Sequence, residues 1–169
     1  MNVQIVPATT EADLAAVRAL CWDYRAGLIA TSAEDARITE TFYPIPKYTV
    51  LMDRLAAEHA RPQGQILLAR LDGAPVGCAM SHALDPKTSE IKRLYVSPAA
   101  RSHGIARRLV TQLMAQARDD GFSRVVLDTS QRLTAARALY ARLGFAERGP
   151  YQDIPEHALP HLVFFEAPL

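Results

Sequence analysis

The chain has 169 residues, of which 49% are hydrophobic and 22% charged, and its formal net charge is +1. That length suggests a single domain over residues 1–169 with a sizeable core, and so small a charge gives no global field for DNA, RNA or an anionic lipid surface. Apolar runs such as Ile66-Leu67-Leu68-Ala69 are far too short to span a bilayer, Met1 to Val6 lacks the basic start and long apolar core of a signal peptide, and Cys21 and Cys78 form neither a disulfide framework nor a metal spacing. The expectation is a reduced, cytoplasmic protein with no membrane or nucleic-acid partner.

In chain order, Val3 to Val6 reads as a strand ended by Pro7. Thr9 or Thr10 can cap a helix whose apolar positions Leu14, Val17, Leu20 and Tyr24 recur at helical spacing. From Gly27 to Tyr48 the pattern is irregular, and a second helix is predicted from Thr49 to His59, closed by Arg61-Pro62-Gln63-Gly64. Gln65–Leu71, the turn Asp72-Gly73 and Pro75–Ala83 predict a hairpin. Asp85-Pro86-Lys87 turns into a further strand, Glu90–Val96. An amphipathic helix follows from about His103 to Arg118, then a buried strand Arg124–Asp128 and a helix Thr134–Leu143 with Gly144 at its C′ position. Phe145 onward is extended, and Leu162–Glu166 reads as a closing strand. The order β-α-α-β-β-β-α-β-α-β-β predicts a mixed α/β fold: a central, mostly antiparallel sheet with helices on both faces.

The turn Arg101-Ser102-His103-Gly104-Ile105-Ala106 carries the most chemical information. It joins a strand to a helix N-terminus, where backbone N–H groups lack intrahelical partners and favour an anion such as phosphate. Gly104 allows a sharp turn or close approach, and Arg101, Arg107 and Arg108 add full positive charges. A Walker A loop is excluded because no Lys-Ser or Lys-Thr follows Gly104 at the required offset, and a dinucleotide fingerprint because two of its three glycines are missing.

This turn resembles the R/Q-x-x-G-x-G/A pyrophosphate loop of GCN5-related N-acetyltransferases. Ile91-Lys92-Arg93-Leu94-Tyr95-Val96-Ser97-Pro98 resembles that family's fourth strand and its approach to the loop. Thr134 to Phe145 resembles its A-x-x-L-Y-x-x-x-G-F signature, and Gly149 to Pro155 is similar to a P-Y-x-x-x-P segment of a bacterial subgroup. The resemblance implies a fourth and a fifth strand that splay apart, with a pantetheine arm between them. It implies backbone contacts from Leu94, Tyr95 and Val96 to that arm, and N–H groups from His103 through Arg107 around the pyrophosphate. It implies acetyl-CoA as donor and a small-molecule primary amine as acceptor, attacked directly in a ternary complex. A protein N-terminus or lysine is the alternative acceptor, and a non-catalytic acyl-CoA-binding regulatory module the alternative class.

Two side chains are assigned chemistry. The resemblance implies that Tyr140, in its Leu-Tyr-x-x-x-Gly-Phe context, would protonate the departing thiolate, and that Glu90, eleven residues before Arg101 and similar in placement to the catalytic glutamate of histone-modifying relatives, would take the amine's proton directly or through water. Leu133 replaces an asparagine that many relatives direct at pantetheine, so Thr134 or Ser130 would have to substitute. Acceptor-side candidates are Trp22, Tyr24, Phe42, Tyr43, Tyr151, Asp153, Glu156, His157 and His161. His157 and His161 flank Pro160, which spoils an i, i+4 metal pair, and no metal is expected. The family is compatible with a homodimer.

Overall fold

The structure, a computed structural model, describes residues 1–169. Seven strands, β1 (Val3–Pro7), β2 (Gln65–Leu71), β3 (Ala74–Asp85), β4 (Thr88–Val96), β5 (Arg124–Ser130), β6 (Ala146–Arg148) and β7 (Leu162–Pro168), form one sheet in the order β1-β2-β3-β4-β5-β7-β6. Every neighbouring pair is antiparallel except β4 with β5. Six helices cover it: α1 (Glu11–Thr31), α2 (Ala33–Phe42), α3 (Ile45–Asp53), α4 (Leu55–Glu58), α5 (Ile105–Asp119) and α6 (Thr134–Arg142). The mixed α/β architecture agrees with the sequence expectation.

Successive strand residues point to opposite faces, so one sheet supports two apolar layers. Leu67, Ala79, Ile91, Val125 and Leu127 pack with Ile105, Leu109, Val110 and Leu113 of α5. Leu68, Cys78 and Met80 pack on the other face with Val17 and Cys21 of α1 and Tyr48 and Met52 of α3. Buried Cys21 and Cys78 are both free thiols of this second layer.

The stretch read as irregular from Gly27 to Tyr48 is largely helical. Gly27 lies inside α1 and does not break it, because glycine within a helix costs only about 1 kcal/mol. The break comes at Ser32, whose extended backbone ends α1 and whose hydroxyl accepts from Asp35 N–H at 3.0 Å to cap α2. The second predicted helix begins earlier, at Ile45, with Pro46 in a first turn that tolerates proline, and it divides at Arg54. Thr10 is the cap of α1, accepting from Asp13 N–H at 3.1 Å.

Two departures from regular sheet shape the centre of the molecule. Strands β4 and β5 pair over three residues only, Thr88–Glu90 with Arg124–Val126, and then separate. In the β3–β4 pair, Cys78 lies opposite Tyr95 but Met80 opposite Lys92, so β4 carries one extra residue, and Arg93 takes a left-handed φ of 53°. The bulge reverses the inside–outside alternation beyond it. Ile91 faces the α5 layer, and so do Leu94 and Val96, whereas Tyr95 joins the α1 layer.

Candidate active site

The loop before α5 leaves its amides open. No backbone N–H from Ser102 through Arg107 finds an acceptor within the chain. Gly104 caps the helix with φ 70° and ψ 11°, and a Cβ there would meet nothing within 4 Å, so its glycine serves the backbone conformation and leaves the mouth clear. Ser102 also has a positive φ, 68°, at a position where glycine would be unstrained. The His103 ring braces the turn, its Nδ1 2.9 Å from the carbonyl of Arg101 and 3.1 Å from that of Ala100. Arg101 Nε donates to the carbonyl of Val96 at 3.2 Å, and Arg108 Nη1 to that of Val3 at 2.9 Å. Arg107 is left as the exposed cation of the first turn.

Glu90 stands where β4 and β5 part. It is 1% exposed, yet it is a carboxylate with three partners. His82, directly across from it on β3, brings Nε2 to 2.6 Å, Tyr151 donates its hydroxyl, and Lys92 Nζ lies at 3.5 Å. Burial pushes the Glu90 carboxyl up, but the His82 hydrogen bond, the Lys92 charge and the Tyr151 hydroxyl outweigh it and hold the group below the usual glutamate range. The Tyr151 hydroxyl also lies 3.4 Å from Asp128 of β5. Burial raises the Asp128 carboxyl, and the Glu90 charge adds to the rise. The two carboxylates thus share one phenol and are driven in opposite directions.

From this fork a cleft runs between β4, β5 and α1–α2, lined by Tyr24, Phe42, Tyr43, Lys92, Arg93 and Asp128 among others. Two buried side-chain polar atoms of the protein lack a partner, Asp35 Oδ2 and Arg93 Nε, and both residues line this cleft. Asp35 Oδ1 is satisfied by Ser130 Oγ at 2.8 Å, with Arg132 Nη1 at 3.4 Å. Arg93 is 6% exposed; its Nη1 donates to His59 Nε2 at 3.3 Å and touches Met80 Sδ, and its guanidinium lies 5.5 Å from the Tyr43 ring centre. His59 Nδ1 is 2.8 Å from the carbonyl of Ser81, which leaves Nε2 as acceptor and the ring neutral. Burial, reinforced by the Arg93 charge, brings the His59 pKa down to about 3.

Tyr140 of α6 is buried in the α5 layer. Gly144, at φ 91°, ends α6 in a Schellman motif: Phe145 N–H reaches the Tyr140 carbonyl at 3.0 Å and Gly144 N–H that of Ala141 at 3.2 Å. The associated apolar contact is the Tyr140–Phe145 ring pair at 5.7 Å, and Phe165 lies 5.6 Å from the same ring. Burial first and the Asp128 charge second hold the phenol above its usual range, so it is a proton donor, not a phenolate, at neutral pH.

Leu94, Tyr95 and Val96 lie on the part of β4 that β5 has left, and so have no strand partner on that side. Leu133 lines the cleft, and the Ser130 hydroxyl is already committed to Asp35 and to Arg132 N–H at 3.2 Å. Trp22 packs on Tyr48, His157 lies 3.1 Å from Thr41 Oγ1, and Arg132 Nη2 donates to His161 Nδ1 at 3.1 Å. Asp153 and Glu156 are exposed. His82, Asp128, Asp35 and Arg93 escaped the sequence analysis. His82 alone had a readable signal, since a hairpin through Asp85-Pro86-Lys87 sets it opposite Glu90.

Comparison with known proteins agrees with this architecture. Residues 32–145 match the family model described as Acetyltransferase (GNAT) family. An IAA acetyltransferase of Azospirillum brasilense is 38% identical over 111 residues, covering 65% of this chain and 71% of that protein. The uncharacterized N-acetyltransferase YjgM of Escherichia coli is 35% identical over 104 residues, covering 58% of this chain and 62% of its own length. A GNAT-family acetyltransferase structure from Staphylococcus aureus Mu50 superposes with a TM-score of 0.77 at 14% identity, covering 99% of both chains. The PaiA N-acetyltransferase of Thermoplasma acidophilum, solved in complex with coenzyme A, superposes with a TM-score of 0.71 at 16% identity over the whole of both chains. With the family model matched over two thirds of its length, the open amide loop and the forked sheet belong to a member of the GNAT acetyltransferase family.

Proposed function

We propose that this acetyltransferase takes its acetyl group from acetyl-CoA and transfers it to a primary amine of a small molecule, by direct attack with both substrates bound. The observation that carries this reading is the run of open amides from Ser102 through Arg107, next to a strand gap whose β4 edge is unpaired. Such a row suits a pyrophosphate, and the free edge from Leu94 to Val96 suits the two amides of pantetheine. The cofactor would supply the acetyl group as a thioester, poised for acyl transfer.

The chain's own residues then have defined tasks. Glu90, ionised at neutral pH, accepts a proton from the amine, directly or through one water. Tyr140, whose phenol holds its proton, donates it to the departing sulfur. His82 and Tyr151 orient the Glu90 carboxylate, and the apolar walls at Tyr24 and Phe42 exclude water from the acceptor. A small acceptor is supported by this narrow aromatic cleft and by a relative named for a small molecule.

One observation favours a second reading of the base. Asp128 is raised by burial whereas Glu90 is held low, and a general base works best when its pKa approaches the working pH. Initial rates of thiol release across a panel of small amines and amine-terminated peptides test the function. Turnover confined to small amines supports it, and a preference for peptides overturns the choice of acceptor. Glu90→Gln and Asp128→Asn assayed side by side decide the base, which is the residue whose loss costs more in kcat.

A further inference from the structure

We propose that Arg93 is the anchor for a carboxylate on the acceptor, so that the substrates of this enzyme are amino-carboxylates with an apolar body. The inference rests on the acetyl-transfer reading above and names the acceptor class of that same site.

The charges around Arg93 are out of balance. Arg93 is a buried cation, and every group it touches is neutral: the acceptor nitrogen of His59, the sulfur of Met80 and the ring of Tyr43. No carboxylate lies within ion-pair distance, and Nε has no partner at all. Removing a guanidinium from water costs several kcal/mol unless an anion and hydrogen bonds replace the lost solvation. The cations nearest to it along the cleft and at its rim are already matched. Lys92 lies by Glu90, and Arg132 by Asp35 and Glu34. Arg93 is the one left over. Asp35, which holds the other orphan atom, is not comparable, because Ser130 and Arg132 already compensate its charge.

The backbone shows that this orientation is built in. In a regular strand Arg93 would follow Ile91 onto the face packed against α5. The bulge at φ 53° instead carries its side chain to the α1–α2 face, into contact with Tyr43 and into the wall of the cleft. His59 stays neutral and offers only a lone pair, which holds the guanidinium without cancelling its charge. Arg93 lies three residues beyond Glu90 on the same strand, so an acceptor with its amine at Glu90 would carry its anion along the cleft towards Arg93. One unmatched positive charge fits a monoanionic carboxylate better than a phosphate. Tyr24, Leu28, Ile38 and Phe42 supply an apolar surround for the body between amine and carboxylate.

The test compares matched acceptors in the whole protein by thiol release from acetyl-CoA: 6-aminohexanoate, 8-aminooctanoate and 4-(aminomethyl)benzoate, each against its carboxamide. The expected result is kcat/KM about ten- to a hundredfold higher for at least one free acid than for its amide, the range of a charge-assisted hydrogen-bonded pair. In Arg93→Gln that ratio collapses to within about threefold, and Arg93→Lys retains part of it. Because the acid-to-amide ratio is measured in the unaltered protein, it stands even if a variant fails to fold. Amides used as well as acids, or no acid used by protein that binds acetyl-CoA, overturns the proposal and leaves the acetyl-CoA reading intact. Failure to bind acetyl-CoA removes that reading itself.

Discussion

Tyr151 donates its hydroxyl to the buried carboxylate of Glu90, joining the loop after β6 to the point where β4 and β5 divide. The same hydroxyl lies near Asp128, so one phenol holds two carboxylates of opposite tendency. Removing it releases both. Tyr151→Phe should move the acidic limb of the kcat/KM profile to higher pH, because a donor that favours the charged carboxylates is lost. An unchanged limb would place the titrating group elsewhere.

Glu90→Gln keeps the shape of the side chain but cannot accept a proton. Loss of a general base of this kind lowers kcat by about a hundredfold or more. His82 is half-buried and would retain its place across the strand, so thermal unfolding should separate a chemical loss from a structural one. A fall in kcat of less than about threefold would pass the role to Asp128 or to water.

Tyr140→Phe removes only an oxygen from a ring that is held by Phe145 and Phe165. Turnover should fall well over tenfold, since a positioned acid contributes about a hundredfold or more, while acetyl-CoA affinity barely changes. Gly144→Ala probes the positioning of the same ring through the backbone. Its left-handed φ should cost about 1 kcal/mol of stability, read by urea denaturation, with a smaller loss of kcat than Tyr140→Phe.

His59 makes a prediction about pH and stability. Its pKa is about 3 in the fold against an ordinary 6.5, so the unfolded chain binds the extra proton first as pH falls. The stability that comes from keeping this ring neutral is therefore complete above pH 6.5 and is lost progressively towards pH 3. The slope approaches about 1.4 kcal/mol per pH unit. Between pH 6.5 and 5.5 the lowered carboxyls of Asp13, Glu34, Asp85, Glu90 and Asp120 stay largely ionised in both states and add little slope, while the raised Asp128 carboxyl works in the opposite sense and is shared by both proteins, so their difference in that window reports His59. Urea titrations of the unaltered protein and of His59→Gln should diverge there, with the variant the flatter of the two.

How far the sequence could be read follows from which signals are local. The Arg101–Ala106 turn, the α5 periodicity and the Thr134–Phe145 run each lie within one stretch of chain, and the structure forms a turn, a helix and a Schellman stop there. The cluster around Glu90 draws on β3, β4, β5 and the loop at Tyr151, so its membership depends on register and on a long-range loop path. His82 could be counted across the hairpin, but Tyr151 and Asp128 could not. Arg93 was misleading for a different reason. Simple alternation sends it to the α5 face, and only the extra residue in β4, invisible in hydrophobic pattern, turns it into the cleft. Between Gly27 and Tyr48, weak periodicity hid helices whose boundaries are set by the Ser32 cap and by Pro46.

The claim on which everything else depends is that the open amides of Ser102 through Arg107 and the gap beyond Glu90 together hold acetyl-CoA. Calorimetric titration with acetyl-CoA, and in parallel with ATP, tests it most directly. Micromolar binding of acetyl-CoA is expected, with much weaker binding of ATP, which shares the polyphosphate but has no pantetheine to lie along β4. Absence of heat with acetyl-CoA, or equal affinity for ATP, would contradict it.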